Sequence, residues 1–118
     1  MAVPTQEPAS SAVNIDALLE RAAEYLPPER LEIIREAFAF AKECHEGQLR
    51  KTGDPFITHP VAVAELVANL ELDHLAIAAA LLHDVQEDCG IPNEDLAAKF
   101  GPRVAKLVDG LTKLEKLP

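Results

Sequence analysis

The run Leu75-Ala76-Ile77-Ala78-Ala79-Ala80-Leu81-Leu82 carries no charge and no polar side chain, and His83-Asp84-Val85-Gln86-Glu87-Asp88 follows it at once. Alanine, leucine and isoleucine at every position predict a helix that is apolar on all sides. Such a helix is stable only where neighbours cover most of its faces. Any fold for this chain must therefore place the segment near its centre. The end of the run then needs an explanation, because burying His83 and Asp84 costs free energy unless each has a partner. A metal ion is one such partner, giving charge to the carboxylate and a ligand bond to the imidazole. Glu87 and Asp88 come four residues after His83 and Asp84, so on a continuing helix each lies beside its predecessor. The pattern reads as metal ligands with an acid/base pair one turn on.

What covers the central run must come from 118 residues, enough for one domain that buries roughly two thirds of its unfolded surface. Hydrophobic residues make up 48% of the chain but aromatics only 4%, so the core is aliphatic and suits helices packed through small side chains. A net charge of -9 argues against general binding to nucleic acid or to anionic membranes. No apolar run reaches the ~18 residues of a membrane span. The opening Met-Ala-Val-Pro-Thr-Gln-Glu-Pro lacks the basic and apolar regions of a signal peptide. Cys44 and Cys89 are too few for a disulfide framework, so a reducing cytoplasm is the expected compartment.

Residues 1–13 mix Pro, Ser, Thr and Gln without periodicity and read as a flexible lead-in. Asn14 is placed to cap a first helix bearing Ile15, Leu18, Leu19, Ala22 and Leu26, which Pro27-Pro28 ends. A second helix is predicted from Pro28 to about Glu46, with Leu31, Ile34, Phe38, Ala41 and His45 on one stripe and Gly47 after its end. Residues 48–58 form a loop with a Gly-Asp-Pro turn signal and the chain's one adjacent basic pair, Arg50-Lys51. A third helix opens at Thr58-His59-Pro60, and Asp73 caps the central helix, predicted over 74–86. Asn93 caps a short helix stopped by Gly101, and Pro102 starts a last one bearing Val104, Leu107, Val108, Leu111 and Leu114. Strand alternation is absent from the pattern. The fold expected is an all-α bundle of about six helices, with the stripe Leu107, Leu111 and Leu114 still to be covered and so a route to self-association.

A His-Asp doublet alone is weak evidence. The bland reading of His83 is a structural imidazole bonded to a nearby carbonyl, and that of His59 an ordinary helix-start residue. His45 reads as a packing residue or pocket wall and His74 as solvated.

Three ordered stretches are more specific. Gln48-Leu49-Arg50-Lys51-Thr52-Gly53-Asp54-Pro55-Phe56-Ile57-Thr58-His59-Pro60-Val61 resembles the opening of the hydrolase domain of RelA/SpoT-type enzymes, which make and degrade the alarmone (p)ppGpp. His83-Asp84-Val85-Gln86-Glu87-Asp88 is similar to that family's second motif, and Val108-Asp109-Gly110-Leu111-Thr112-Lys113-Leu114 to its third. The parent superfamily is the HD phosphohydrolases, and the resemblance covers about residues 35–117.

The resemblance implies an HD-domain helical bundle, with residues 14–118 as the N-terminal part of a (p)ppGpp hydrolase domain within a longer bifunctional protein. It implies that His59, His83 and Asp84 ligate Mn²⁺, that Glu87 and Asp88 orient or deprotonate the attacking water, and that Arg50, Lys51 and Thr52 bind the nucleotide. The reaction implied is removal of the 3′-pyrophosphate from guanosine tetra- or pentaphosphate in the stringent response. The residue types suit that chemistry. A mixed imidazole and carboxylate site can hold Mn²⁺ with open positions, and carboxylates can accept a proton from water. Arg50 can stack its planar guanidinium on a purine.

The sequence departs from the family at Gln86, where hydrophobic residues are more usual, and at Cys89, where Thr is common. The family's fourth ligand is an Asp on a later helix, and no such position lies before Pro118, so a truncated, open and weak three-ligand site is expected. Two other readings stand beside this one: a generic HD phosphohydrolase acting on another nucleotide, and a non-catalytic regulatory module.

Overall fold

A computed structural model of the chain describes residues 14–49, 53 and 55–115. The predicted lead-in, residues 1–13, and the nucleotide-binding candidates Arg50, Lys51 and Thr52 lie outside the described residues. The all-α class is borne out: among the described residues there are seven α-helices, one 3₁₀ turn and an isolated bridge between Leu49 and Pro55. The helices are α1 (Asp16–Ala23), α2 (Glu32–Cys44), α3 (Thr58–Asn69), α4 (His74–Leu82), α5 (Val85–Asp88), α6 (Asn93–Phe100) and α7 (Pro102–Glu115). Among the described residues no helix is long and apolar enough to cross a membrane.

Helix α4 is the centre of the molecule. Every residue from Ile77 to Leu82 is buried, and α2, α3 and α7 all pack on this one helix. Ala78, Ala79 and Ala80 make that geometry available, because a small side chain on each face lets three neighbouring helices approach at once. Each neighbour contributes an aliphatic stripe: Ile34, Ala37 and Ala41 from α2, Val61, Ala64 and Ala68 from α3, and Val104 and Val108 from α7. Helix α6 pairs with α7 and adds Leu96 and Phe100 to the same core.

The start of α4 is held by Asp73, whose carboxylate accepts from the Ala76 amide at 2.9 Å, as the sequence predicts. A capping side chain satisfies a donor that the helix leaves unpaired. Asp73→Ala is expected to lower stability by ~1 kcal/mol, read as a reduced denaturant midpoint at unchanged slope. A midpoint equal to that of the parent chain would remove the cap from the account.

Several predicted boundaries move, each for a local reason. The segment predicted as one helix from Pro28 splits into a 3₁₀ turn (Pro28–Leu31) and α2, which ends at Cys44 rather than near Glu46. Asn14 does accept from the Asp16 amide at 3.0 Å, but α1 stops at Ala23. Asn93 is the first residue of α6 rather than its cap; its side-chain amide donates to Gln86 Oε1 at 2.7 Å and to the Ala105 carbonyl at 2.9 Å, tying α5 and α7 together. The central helix predicted over 74–86 breaks at His83-Asp84, leaving α5 as a separate single turn. On α7, Val104, Val108 and Thr112 are buried and Leu111 is half-buried, while Leu107 and Leu114 are exposed.

At the other end of the bundle Arg21 joins α1 to the end of α3, contacting Asn69 Oδ1 at 3.2 Å and Glu71 at 3.1 Å. Tyr25 donates its hydroxyl to the Leu72 carbonyl at 2.6 Å across the same joint.

Candidate metal centre

The break after α4 is where the chemistry gathers. Thr112, one turn from the end of α7, shares its hydroxyl between the Val108 carbonyl at 3.0 Å and the His83 carbonyl at 3.3 Å. A helix that continued through His83 would use that carbonyl for its own ladder. Here it accepts from Thr112 at the turn, and α5 restarts with the Asp88 amide bonded to the Asp84 carbonyl at 2.9 Å. The turn leaves the His83 and Asp84 side chains on the same side of the break, facing the start of α3.

That start is fixed by the loop before it. Thr58 donates its hydroxyl to the Pro55 carbonyl at 2.7 Å, and the His59 amide donates to the Phe56 carbonyl at 3.1 Å. His59 is thereby delivered to the break. Its Nε2 lies 3.7 Å from Asp84 Oδ2, and His83 Nε2 lies 3.3 Å from the same oxygen. The two imidazole centroids are 5.3 Å apart.

His83 is buried, and its Nδ1 is 2.7 Å from the Ala80 carbonyl. A carbonyl only accepts, so Nδ1 carries the proton and donates. Its other nitrogen, Nε2, faces the Asp84 carboxylate at 3.3 Å, where both could reach one cation. Both readings of His83 are therefore met by one ring: the bond to a carbonyl that would make it structural is also the bond that orients a metal-ligating histidine. One ligand atom from each of His59, His83 and Asp84 lies within 4.8 Å of the others. Donors adjacent on one ion at about 2.1 Å stand roughly 3 Å apart, so these three fit a divalent metal with a small closure.

The acidic pair sits in the adjoining turn. Glu87 and Asp88 are both exposed on α5, one turn on from the break. The next residue, Cys89, donates its thiol to the Cys44 carbonyl at 3.1 Å. Burial, with Cys44 beside it, pushes this thiol up to about 11, so it keeps the proton it donates. Both cysteines are free.

Two residues are more involved than the sequence indicates. Thr112 appears there only within the third motif, yet its hydroxyl ties α7 to the break. His45, read as a packing residue or pocket wall, is buried at the C-cap of α2 and bonds Gln48 Oε1 through Nδ1 at 3.2 Å. His74 is half-buried rather than solvated. Burial, with Arg30 nearby, holds its pKa below the usual imidazole range. A surface hollow of about 460 Å³ is lined by Leu72, Leu75, Leu107, Arg103 and Lys106 and includes none of the metal-site residues.

Residues 37–118 match the HD domain family. The chain belongs to that family. Three relatives of this HD domain carry names that describe alarmone chemistry. A guanosine-3′,5′-bis(diphosphate) 3′-pyrophosphohydrolase of Vibrio cholerae serotype O1 is 51% identical over 102 residues, covering 86% of this chain and 14% of that protein. The bifunctional (p)ppGpp synthase/hydrolase SpoT of Escherichia coli K12 is 48% identical over 93 residues, covering 79% and 13%. A guanosine-3′,5′-bis(diphosphate) 3′-pyrophosphohydrolase of Aquifex aeolicus is 47% identical over 105 residues, covering 89% and 15%. The HD domain described here thus spans about one seventh of the length of these relatives. Membership of the family implies a divalent metal, and His59, His83 and Asp84 form a donor set for one.

Proposed function

We propose that this HD domain is part of a guanosine-3′,5′-bis(diphosphate) 3′-pyrophosphohydrolase of the stringent response, with residues 14–118 forming the first part of its hydrolase domain. The observation that carries the reading is the convergence of His59, His83 and Asp84 at the break between α4 and α5. The names of the relatives supply the substrate class. The remaining domains of a longer protein and guanosine tetra- or pentaphosphate are its proposed partners. The remaining helices of the domain would cover exposed Leu107 and Leu114, which otherwise favour self-association. The free thiols suit a reducing cytoplasm.

In this reading His59, His83 and Asp84 hold Mn²⁺. When bound, the ion supplies a Lewis acid that activates water and offsets charge on the phosphoryl oxygens. The chain's own groups do the rest. The Ala80 carbonyl holds the His83 proton on Nδ1 and keeps Nε2 available as a ligand. Glu87 and Asp88, exposed beside the site, orient the attacking water and accept its proton. Arg50 and Lys51 take the guanine and Thr52 lines the nucleotide pocket, which lets an acidic chain accept a polyanion through one short basic loop.

Pyrophosphate release from ppGpp in the presence of Mn²⁺ tests the proposal, measured on the 118-residue chain and on the same chain extended through the remaining helices of the domain. Release by the extended chain alone is the expected result and places the fourth ligand beyond Pro118. Mn²⁺ binding without release from either chain overturns the substrate and points to another nucleotide or to a regulatory module.

A further inference from the structure

His45 lies outside the donor set, yet its ring is joined to it. The imidazole of His45 stacks on Phe56 with centroids 4.6 Å apart and planes 24° from parallel. Phe56 in turn meets His59 edge-on, at 6.4 Å and 76°. The row His45, Phe56, His59 therefore runs from the end of α2 across the loop to the first turn of α3.

The inner end of the row is held rigidly. Gln48 donates through Nε2 to the Cys44 carbonyl at 3.4 Å, so its Oε1 is the acceptor for the His45 Nδ1–H at 3.2 Å. Cys89 donates to that same Cys44 carbonyl, and its sulfur lies 3.8 Å from His45 Nδ1. These side chains satisfy a carbonyl that the end of α2 leaves without a helical partner. With Nδ1 protonated, Nε2 of His45 is a bare, fully buried acceptor with no partner among the described residues. An acceptor left in that state costs stability. The ring is therefore not there for its second nitrogen, and what remains is the flat face it presents to Phe56.

We propose that His45 is a positioning residue for His59: through Phe56 it holds the His59 imidazole turned toward Asp84 and so raises the affinity of the site for a divalent metal. The proposal rests on His59 being a metal ligand. Its logic is that of the groups behind any ligating histidine, which fix ring orientation without touching the ion. His59 is about one third exposed, so the loop side is where its ring most needs support.

Two variants separate the flat face from the hydrogen bond. His45→Gln keeps a donor for Gln48 and loses the ring; His45→Phe keeps a ring and removes the unpartnered nitrogen. Mn²⁺ titrations of the chain extended through the remaining helices of the domain, the parent for both variants, with free ion counted by electron paramagnetic resonance, are read beside thermal melting. The expected result is affinity about tenfold weaker for His45→Gln and within about twofold of the parent for His45→Phe, which melts no lower than the parent. Parent-like affinity in His45→Gln, or equal weakening in both variants, overturns the positioning role while leaving His59 a ligand. A parent chain that takes up no Mn²⁺ at all overturns the ligand assignment, and the inference with it.

Discussion

Asp84→Asn is expected to strip the site of its metal and to abolish hydrolysis in the extended domain. Asp84 contributes the negative charge at the centre of the donor set, with Oδ2 at 3.3 Å from one imidazole and 3.7 Å from the other. Asparagine keeps the shape and one oxygen but loses the charge that a divalent ion needs most. Groups behind a ligand are worth about 10–100-fold in metal affinity, so loss of a ligand carboxylate should cost at least about 100-fold. The side chain is mostly buried, and the substitution is close to isosteric, so the fold should survive and melting should confirm that it does. Metal content equal to that of the parent chain would sink the assignment of Asp84.

The second large effect is expected at the acidic pair. Glu87→Gln and Asp88→Asn, each made singly in the extended domain, should lower kcat by about 10²–10⁴ while leaving metal affinity nearly unchanged. The separation is the point of the experiment. Both side chains are exposed on α5 and lie outside the group formed by His59, His83 and Asp84, so the ion is expected to stay. A fall in kcat and in kcat/KM together marks a contribution made only in the transition state. If either variant instead loses its metal, that residue belongs to the donor set and the division of labour proposed for the two turns is wrong.

Much of this arrangement is legible in the chain, and the parts that are not share a cause. The burial of Leu75–Leu82 and the Asp73 cap depend on residues a few positions apart, and both stand as predicted apart from Leu75 and Ala76, which are only partly covered. The break at His83-Asp84 does not depend on near neighbours. Val85 continues the apolar run, and at the break the His83 carbonyl meets a hydroxyl 29 residues further on. The end of α2 is similar. Gly47 signals a stop after Glu46, whereas the helix ends at Cys44, whose carbonyl accepts from Gln48 and Cys89 instead. Spacing reveals which residues share a face of one element; it is silent on a hydrogen bond that arrives from another. The same holds for the site. The motifs point to His59, His83 and Asp84, and the structure brings them together, but the ring row behind His59 needs the loop to fold back before His45 and Phe56 can meet. Arg50, Lys51 and Thr52 lie outside the described residues, and their place in the nucleotide pocket is part of the proposal.

The joint between α1 and the end of α3 has a consequence for how this molecule can be watched. The chain contains no Trp and a single Tyr, Tyr25. Its phenol is bonded to the Leu72 carbonyl, has the Arg21 guanidinium over the ring at 5.5 Å, and is raised in pKa by burial, so it stays protonated at neutral pH. Phenylalanine emits only weakly, so the tyrosine emission of the chain comes from one corner of the bundle. A fluorescence-monitored unfolding curve reports the docking of α1 on α3, and a Trp introduced near the break after α4 would be required before light could follow what happens at the metal centre.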